Sequence, residues 1–178
     1  KRRMTEKQAL RFYRTSDYML WRNLVHRRHS AWRRVLVTMR GSRGRLLEYG
    51  CGIAPVSAWV KPARPNWDYR VVDLEGTPHF RYAVWRISRD DGIVLGPWDV
   101  ITALDVFEHL ADPEPHAQIL VSALKVGGYL HANFVGNERR NDLDLATEEQ
   151  RTATLAYLAS ALELVWERVG YQVYRKAR

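Results

Sequence analysis

Residues 45–56, Arg-Leu-Leu-Glu-Tyr-Gly-Cys-Gly-Ile-Ala-Pro-Val, leave the chain few ways to fold. A short apolar run ends in Glu48 and passes into two glycines, Gly50 and Gly52, spaced by one residue. That order reads as a buried strand, a tight turn and the start of a helix. Glycine lets a main chain come close to a ligand, and a helix N-terminus offers unpaired N–H groups. The stretch is therefore expected to cradle a nucleotide-like ligand. With 178 residues the chain fits one domain with a proper core around this element.

The remaining pattern alternates between the two periods. Residues 17–39 read as one helix, with Trp21, Leu24, Val25, Trp32, Val35, Leu36 and Met39 on its apolar face. Arg22, His26, His29, Arg33 and Arg40 fall on another stripe. Ser16 or Asp17 is placed to cap it and Gly41 to end it. After the glycine turn, Pro55 suits a first helical turn, and Pro62 and Pro65 keep that helix short. Residues 68–75 read as a second strand closing on Asp73 and Glu75, and residues 80–87 as a third. Residues 98–105 form a fourth, apolar enough to be buried on both faces. Asp112-Pro113 opens a helix through Leu124 with Ile119, Leu120, Ala123 and Leu124 inward, ended by Gly127-Gly128. A fifth strand spans 129–135 and a polar loop 136–144. Thr147-Glu-Glu-Gln150 is a capping box for a helix to about Leu162, and 163–176 is a hairpin around Gly170. Strands alternating with helices define an α/β sandwich with a mainly parallel sheet.

Charge is unevenly placed. Residues 1–45 hold 14 of the 28 Lys and Arg but only Glu6 and Asp17, so this arm is strongly basic and the rest slightly acidic. Such an arm suits an acidic partner, nucleic acid, an anionic surface or a neighbouring acidic domain, and a solvated helix face explains it equally well. No apolar run reaches the roughly 20 residues of a membrane span, and no signal peptide is read at the start. The single cysteine, Cys51, permits a reducing compartment, so a cytoplasmic protein is expected. His26 and His29 have metal-ligand spacing but lie among arginines without a Cys or carboxylate, and no metal site is expected there.

Four stretches in order resemble the class I S-adenosylmethionine-dependent methyltransferases. They are Leu46-Leu-Glu-Tyr-Gly-Cys-Gly52, Val71-Val-Asp-Leu74, Trp98-Asp-Val-Ile-Thr-Ala-Leu-Asp-Val-Phe-Glu-His-Leu110 and Leu124-Lys-Val-Gly-Gly-Tyr-Leu130. The resemblance implies a Rossmann-like sandwich with a mainly parallel seven-strand sheet and a C-terminal antiparallel hairpin. It divides the single domain into a basic helical arm or lid, 1–44, and a donor-binding body, 45–178. It also implies S-adenosyl-L-methionine as cofactor, with Glu48 toward the methionine ammonium and Tyr49, Gly50, Cys51 and Gly52 beneath the donor. Asp73 would take the ribose hydroxyls, Leu74 would touch adenine, and Asp105, Val106 and Phe107 would line the donor from the fourth strand. Cys51 reads as a small filler, not a nucleophile. Two departures stand out. Ala54 replaces the third glycine, and Gly76-Thr77-Pro78 leaves little room for the family's next helix, which is expected to be reduced. The adenine amino contact is sought in 87–91.

The resemblance makes the chain an enzyme that methylates an O or N of a small or medium-sized acceptor. Glu108-His109 is similar to the Glu-His of ubiquinone-type O-methyltransferases, which makes His109 the candidate base beside Glu108; a histidine that merely fixes the loop stands beside that reading. Arg139 and Arg140 hint at an anionic acceptor. Asp105, Glu108 and His109 imitate part of the metal set of RNA 2′-O-methyltransferases, but His116 and His131 fall in the wrong places, and no metal is expected. A catalytically silent module of a larger assembly and an RNA methyltransferase using the basic arm remain the alternatives.

Overall fold

Leu46 and Leu47 are both fully buried, because β1 (Arg45–Tyr49) runs through the middle of a sheet covered on both faces. The computed structural model describes residues 4–25, 31–87, 96–134, 143–168 and 170–178. Among the described residues three helices precede β1: α1 (Glu6–Thr15), α2 (Tyr18–Val25) and α3 (Trp32–Thr38). There follow α4 (Pro55–Val60), β2 (Asp68–Val72), α5 (Pro78–Ile87), β3 (Trp98–Ala103), α6 (Pro113–Ala123) and β4 (Leu124–Asn133). The chain closes with α7 (Glu148–Ala161), β5 (Glu163–Arg168) and β6 (Tyr171–Arg175).

The sheet has six strands in the order β2-β1-β3-β4-β6-β5. β2, β1, β3 and β4 are parallel, and β6 runs antiparallel to β4 and β5. One face packs Leu46, Val71 and Val100 against Val35 of α3 and Met39 just after it, Val56 and Val60 of α4, and Phe80 and Ala83 of α5. The other packs Leu47, Ile101 and Leu130 against Ala117 and Leu120 of α6 and Leu158 of α7. The three-layer sandwich follows from strands that are apolar on both sides. Thr147 caps α7 in the expected capping box, and the hairpin at the end forms as read.

Several expectations are corrected. The stretch 80–87 lies in helix α5 and not in a strand, so the sheet has six strands instead of seven, and the helix expected to be reduced is ten residues long. Its buried positions are His79, Phe80, Ala83 and Ile87, and the apolar three have a helical spacing that competed with an alternating reading. Thr77 accepts the Phe80 N–H through its hydroxyl and Pro78 opens the helix, so the tripeptide read as too cramped is its start. The helix read over 17–39 is seen as α2 and α3, with 26–30 outside the described residues. Trp21 is 66% exposed and Ile119 51% exposed, both read as inward-facing. Gly127-Gly128 does not end α6, which stops at Ala123. The pair sits inside β4 where the register with β3 shifts, and Gly127 has φ +79°. No helix among the described residues is long and apolar enough to cross a membrane.

Candidate active site

After β1 the chain moves to β2 on one side, and later to β3 on the other. The carboxyl ends of β1 and β3 flank this switch point, where open α/β sheets hold ligands. Gly50, with φ +61°, turns the chain there, and a Cβ on it would lie 2.3 Å from Val106 Cγ2. The turn is clamped from β2. Cys51 N–H donates to the Val72 carbonyl at 3.1 Å, and Gly52 N–H donates to Asp73 Oδ2 at 2.6 Å. Asp73 Oδ1 accepts the Leu74 N–H at 2.6 Å.

Glu48 is 4% exposed and binds the start of α4. Its Oε1 accepts the Val56 N–H at 3.0 Å and its Oε2 the Ser57 N–H at 2.7 Å. Pro55 has no N–H, so the first donors of α4 meet a carboxylate from inside the fold, not a ligand. This corrects the expectation that the helix N-terminus is offered to an anion. A phosphate here would meet the negative charge of Glu48, and the cradle is unlike a dinucleotide fold, which sets its pyrophosphate on the helix N-terminus. Ala54, at the third glycine's place, is fully buried and holds φ +53°, a left-handed conformation that explains the glycine of the usual pattern.

Tyr49 turns to the opposite face, where its hydroxyl meets His116 Nδ1 and burial pushes its pKa up to about 12. Burial likewise pushes the Cys51 thiol well up, in keeping with a filler. Leu74 follows Asp73, and its carbonyl accepts the Thr77 hydroxyl.

At the end of β3, Asp105 holds φ +56° and is locked to β4. Its N–H donates to Asn133 Oδ1, and Asn133 Nδ2 donates to Asp105 Oδ1, each at 2.6 Å. Val106 is buried under the glycine turn, and Phe107 is fully buried and stacks on Phe134 with centroids 5.2 Å apart. A 3-10 turn, Phe107–His109, then carries Glu108 and His109. Glu108 is 2% exposed, and burial pushes its carboxyl up to about 8. Neither of its oxygens makes a hydrogen bond to another residue among the described ones.

The segment before α7 folds onto this turn. Leu145 N–H donates to the Glu108 carbonyl at 2.8 Å, and His109 Nδ1 lies 3.1 Å from the Leu143 carbonyl and 3.3 Å from Asp144 Oδ1. A carbonyl only accepts, so Nδ1 carries a proton, and in the neutral ring that puts the lone pair on Nε2. From the other side, Tyr13 of α1 sets its ring edge-on between two histidines, 6.3 Å from His109 and 6.2 Å from His79. His79 Nε2 is 3.5 Å from Asp73 Oδ1. Burial first, then the charges of Asp73, Asp144 and Glu108, push the Tyr13 hydroxyl up, against a smaller opposing effect of Arg22.

Tyr13, His79, Asn133 and Asp144 were not read from the sequence as site residues. Each stands alone in its own segment, and only Asp144, at the end of a polar loop, carried a local signal. His26, His29, Arg139, Arg140 and residues 88–91 lie outside the described residues. Among the described residues no group of three or more His, Cys, Asp or Glu is arranged to hold a metal ion.

A central glycine turn clamped by an acidic residue at the end of β2, in a parallel sheet with a terminal antiparallel pair, defines a Rossmann-like class I methyltransferase sandwich. The model of a family described as a methyltransferase domain matches residues 24–176. The chain belongs to this family, and is an enzyme that uses S-adenosylmethionine. No protein of curated function matches the sequence. Among solved structures it is similar to a TehB-like SAM-dependent methyltransferase from Corynebacterium glutamicum, with TM-score 0.62 and 19% identity over 89% of this chain and 95% of that one. It is also similar to the N-methyltransferase NodS from Bradyrhizobium japonicum, with TM-score 0.58 and 18% identity over 86% and 97%. A third is the magnesium protoporphyrin IX methyltransferase of Synechocystis, solved with bound SAM, with TM-score 0.63 and 14% identity over 96% of each chain.

Proposed function

We propose that this methyltransferase modifies an O or N of a small or medium-sized acceptor, with His109 as the base. The observation that carries the reading is the tautomer imposed on His109, whose Nδ1 proton faces the Leu143 carbonyl and Asp144. That leaves Nε2 able to accept a proton, and Asp144 stabilises the imidazolium that results. Similar proteins include both an N-methyltransferase and an O-methyltransferase family protein, which supports either acceptor atom.

The residues present fit the donor. Each Asp73 oxygen accepts one N–H and retains a lone pair, enough to take ribose hydroxyls. Gly50, Cys51 and Gly52 would allow the close main-chain approach, and Leu74 and Val106 would contact the donor, whereas Phe107 is fully buried against Phe134 and has no surface left for it. Glu48 would disfavour a phosphate here and would add negative charge toward a positively charged donor. When bound, S-adenosylmethionine supplies a methyl group on sulfonium sulfur, so the acceptor–carbon bond forms as the sulfur–carbon bond breaks and its electron pair stays on sulfur. The protein's own work is alignment and exclusion of water, to which α1 contributes by covering His109 with Tyr13.

The test is donor-product release with a panel of amines, phenols and carboxylic acids, for wild type and His109→Gln. Acceptor-dependent turnover should fall about 100-fold in the variant with donor affinity unchanged. Unaltered turnover removes His109 from the chemistry. Outside the site, the exposed Arg11, Arg14, Arg33 and Arg40 support an acidic partner or nucleic acid on the arm. RNA affinity that does not fall steeply with salt would contradict that.

A further inference from the structure

Asp73 has a side-chain neighbour as well as its two main-chain donors. Gly76, with φ +80°, turns the chain after β2 so that α5 begins beside the carboxylate. His79, the second residue of that helix, sets its Nε2 3.2 Å from Thr77 Oγ1 and 3.5 Å from Asp73 Oδ1. Thr77 fixes which ring nitrogen carries the proton. Its hydroxyl hydrogen goes to the Leu74 carbonyl at 2.9 Å, and its oxygen accepts the Phe80 N–H at 3.3 Å. With that one hydrogen committed, Thr77 Oγ1 can only accept from the imidazole, so Nε2 is the donor. In the neutral ring Nδ1 is then a bare acceptor, buried without a hydrogen-bond partner among the described residues. A phenyl ring would fill the same space without stranding a nitrogen. What the imidazole gains is its Nε2–H, set between Thr77 and Asp73. The two side chains also differ in access. His79 is 4% exposed and lies against the edge-on ring of Tyr13, whereas the Asp73 side chain keeps 15% of its surface open. An effect of His79 on a ligand therefore has to pass through Asp73.

We propose that His79 is a positioning residue for the methyl donor, holding the Asp73 carboxylate in the orientation that meets both ribose hydroxyls. This rests on the ribose reading of Asp73 above. A carboxylate offers about four acceptor positions, two on each oxygen. The Leu74 N–H takes one on Oδ1 and the Gly52 N–H one on Oδ2, both at 2.6 Å. Two positions are left for a diol, and both hydroxyls reach them only if the plane of the carboxylate is fixed. At 3.5 Å the His79 N–H is too far away to use up a lone pair. It acts instead as a partial positive charge beside Oδ1, favouring one rotation of the carboxylate over others. The proton on Nε2 matters here, because a bare nitrogen facing Oδ1 would repel it. Thr77, by accepting that proton, keeps the ring in the useful tautomer.

The experiment is a double-mutant cycle read by calorimetry with S-adenosylhomocysteine and with its 2′,3′-dideoxy analogue. His79→Phe keeps a ring beside Tyr13 and removes the N–H. It should weaken S-adenosylhomocysteine about fivefold, the worth of one modest polar contact. In an Asp73→Asn background the same change should have less than about a twofold effect, since sites that act as one unit are not additive. The dideoxy analogue should bind wild type and His79→Phe alike. A merely structural histidine gives the same loss in both backgrounds and with both ligands, and that result overturns the proposal. So does a folded His79→Phe that binds S-adenosylhomocysteine as wild type does while Asp73→Asn binds it more weakly. If Asp73→Asn itself binds with wild-type affinity, the ribose reading fails and the proposal falls with it, a result distinct from the loss of His79 alone. Should His79→Phe not fold, nitrogen NMR of the wild-type ring decides. An Nε2–H tautomer is required, and an Nδ1–H tautomer overturns the proposal.

Discussion

Gly50 and Val106 are packed so closely that a Cβ on the glycine would sit 2.3 Å from Val106 Cγ2. The glycine turn after β1 and the segment after β3 therefore form one unit. Gly50→Ala suffers twice, from the contact and from the left-handed φ of +61°. Together these should cost on the order of 3 kcal/mol and at least tenfold in donor affinity. Urea titration and calorimetry check both, and a variant as stable as wild type would show that the turn is looser than described.

Asp73 has a structural and a proposed ligand role, and the two are separable. Asp73→Asn keeps one acceptor oxygen for Gly52 or Leu74 and should fold, whereas Asp73→Ala strands both N–H groups. Donor affinity should fall at least tenfold in Asp73→Asn by calorimetry. A folded Asp73→Asn with wild-type affinity would take the ribose contact away from this residue.

Glu48 is expected to matter for stability first. Glu48→Gln replaces one acceptor of the Val56 and Ser57 N–H pair by an amide that cannot accept. The loss should be about 2 kcal/mol, the worth of a hydrogen bond to a charged group. Chemical denaturation reads it directly. No loss would mean that α4 starts without its cap.

Glu108 and His131 give stability opposite pH slopes. Glu108 is raised from its usual 4.5 to about 8 by burial, with Asp105 and Asp144 adding to the rise and Arg151 and its own N–H opposing it. Below 4.5 the carboxyl is neutral in both states. As pH rises toward 8 only the unfolded chain gives up its proton, so stability falls over that window and levels off above it. Glu108→Gln should remove this decline, worth a few kcal/mol at most. Urea midpoints at pH 5 and 8 should converge in the variant and differ in wild type.

His131 is fully buried between Thr38 and Tyr171, and burial lowers its pKa from 6.5 to about 3, with Arg34 acting in the same direction. Its contribution is complete above 6.5 and is lost as pH falls toward 3, because only the unfolded chain takes up the proton in that range. Thr38 already donates to the Val35 carbonyl, so it accepts from His131 Nε2 while Tyr171 donates to Nδ1. Tyr171→Phe should leave Nδ1 without its donor and cost about 1 kcal/mol at pH 7. An unchanged denaturation midpoint in Tyr171→Phe would count against this arrangement.

Local pattern sufficed for the elements whose spacing is unambiguous. The strand at 45–49, its glycine turn, the Thr147 capping box and the terminal hairpin all stand where their residues place them, because each is decided within a few positions of its own neighbours. The stretch 80–87 failed because Phe80, Ala83 and Ile87 fit a helix while shorter subsets of the same residues alternate, and only packing against β2 and α4 decides between them.

The sequence by itself determined the β1 turn, the acid at the end of β2 and the Glu-His pair after β3, since those are short motifs with fixed spacing. Only the tertiary structure decided what surrounds them. It turned Glu48 onto the start of α4, brought Asp144 to His109, and laid Tyr13 between His79 and His109. Those partners come from segments far apart in the chain, and side chains meet across such distances only once the apolar layers on both faces of the sheet have closed.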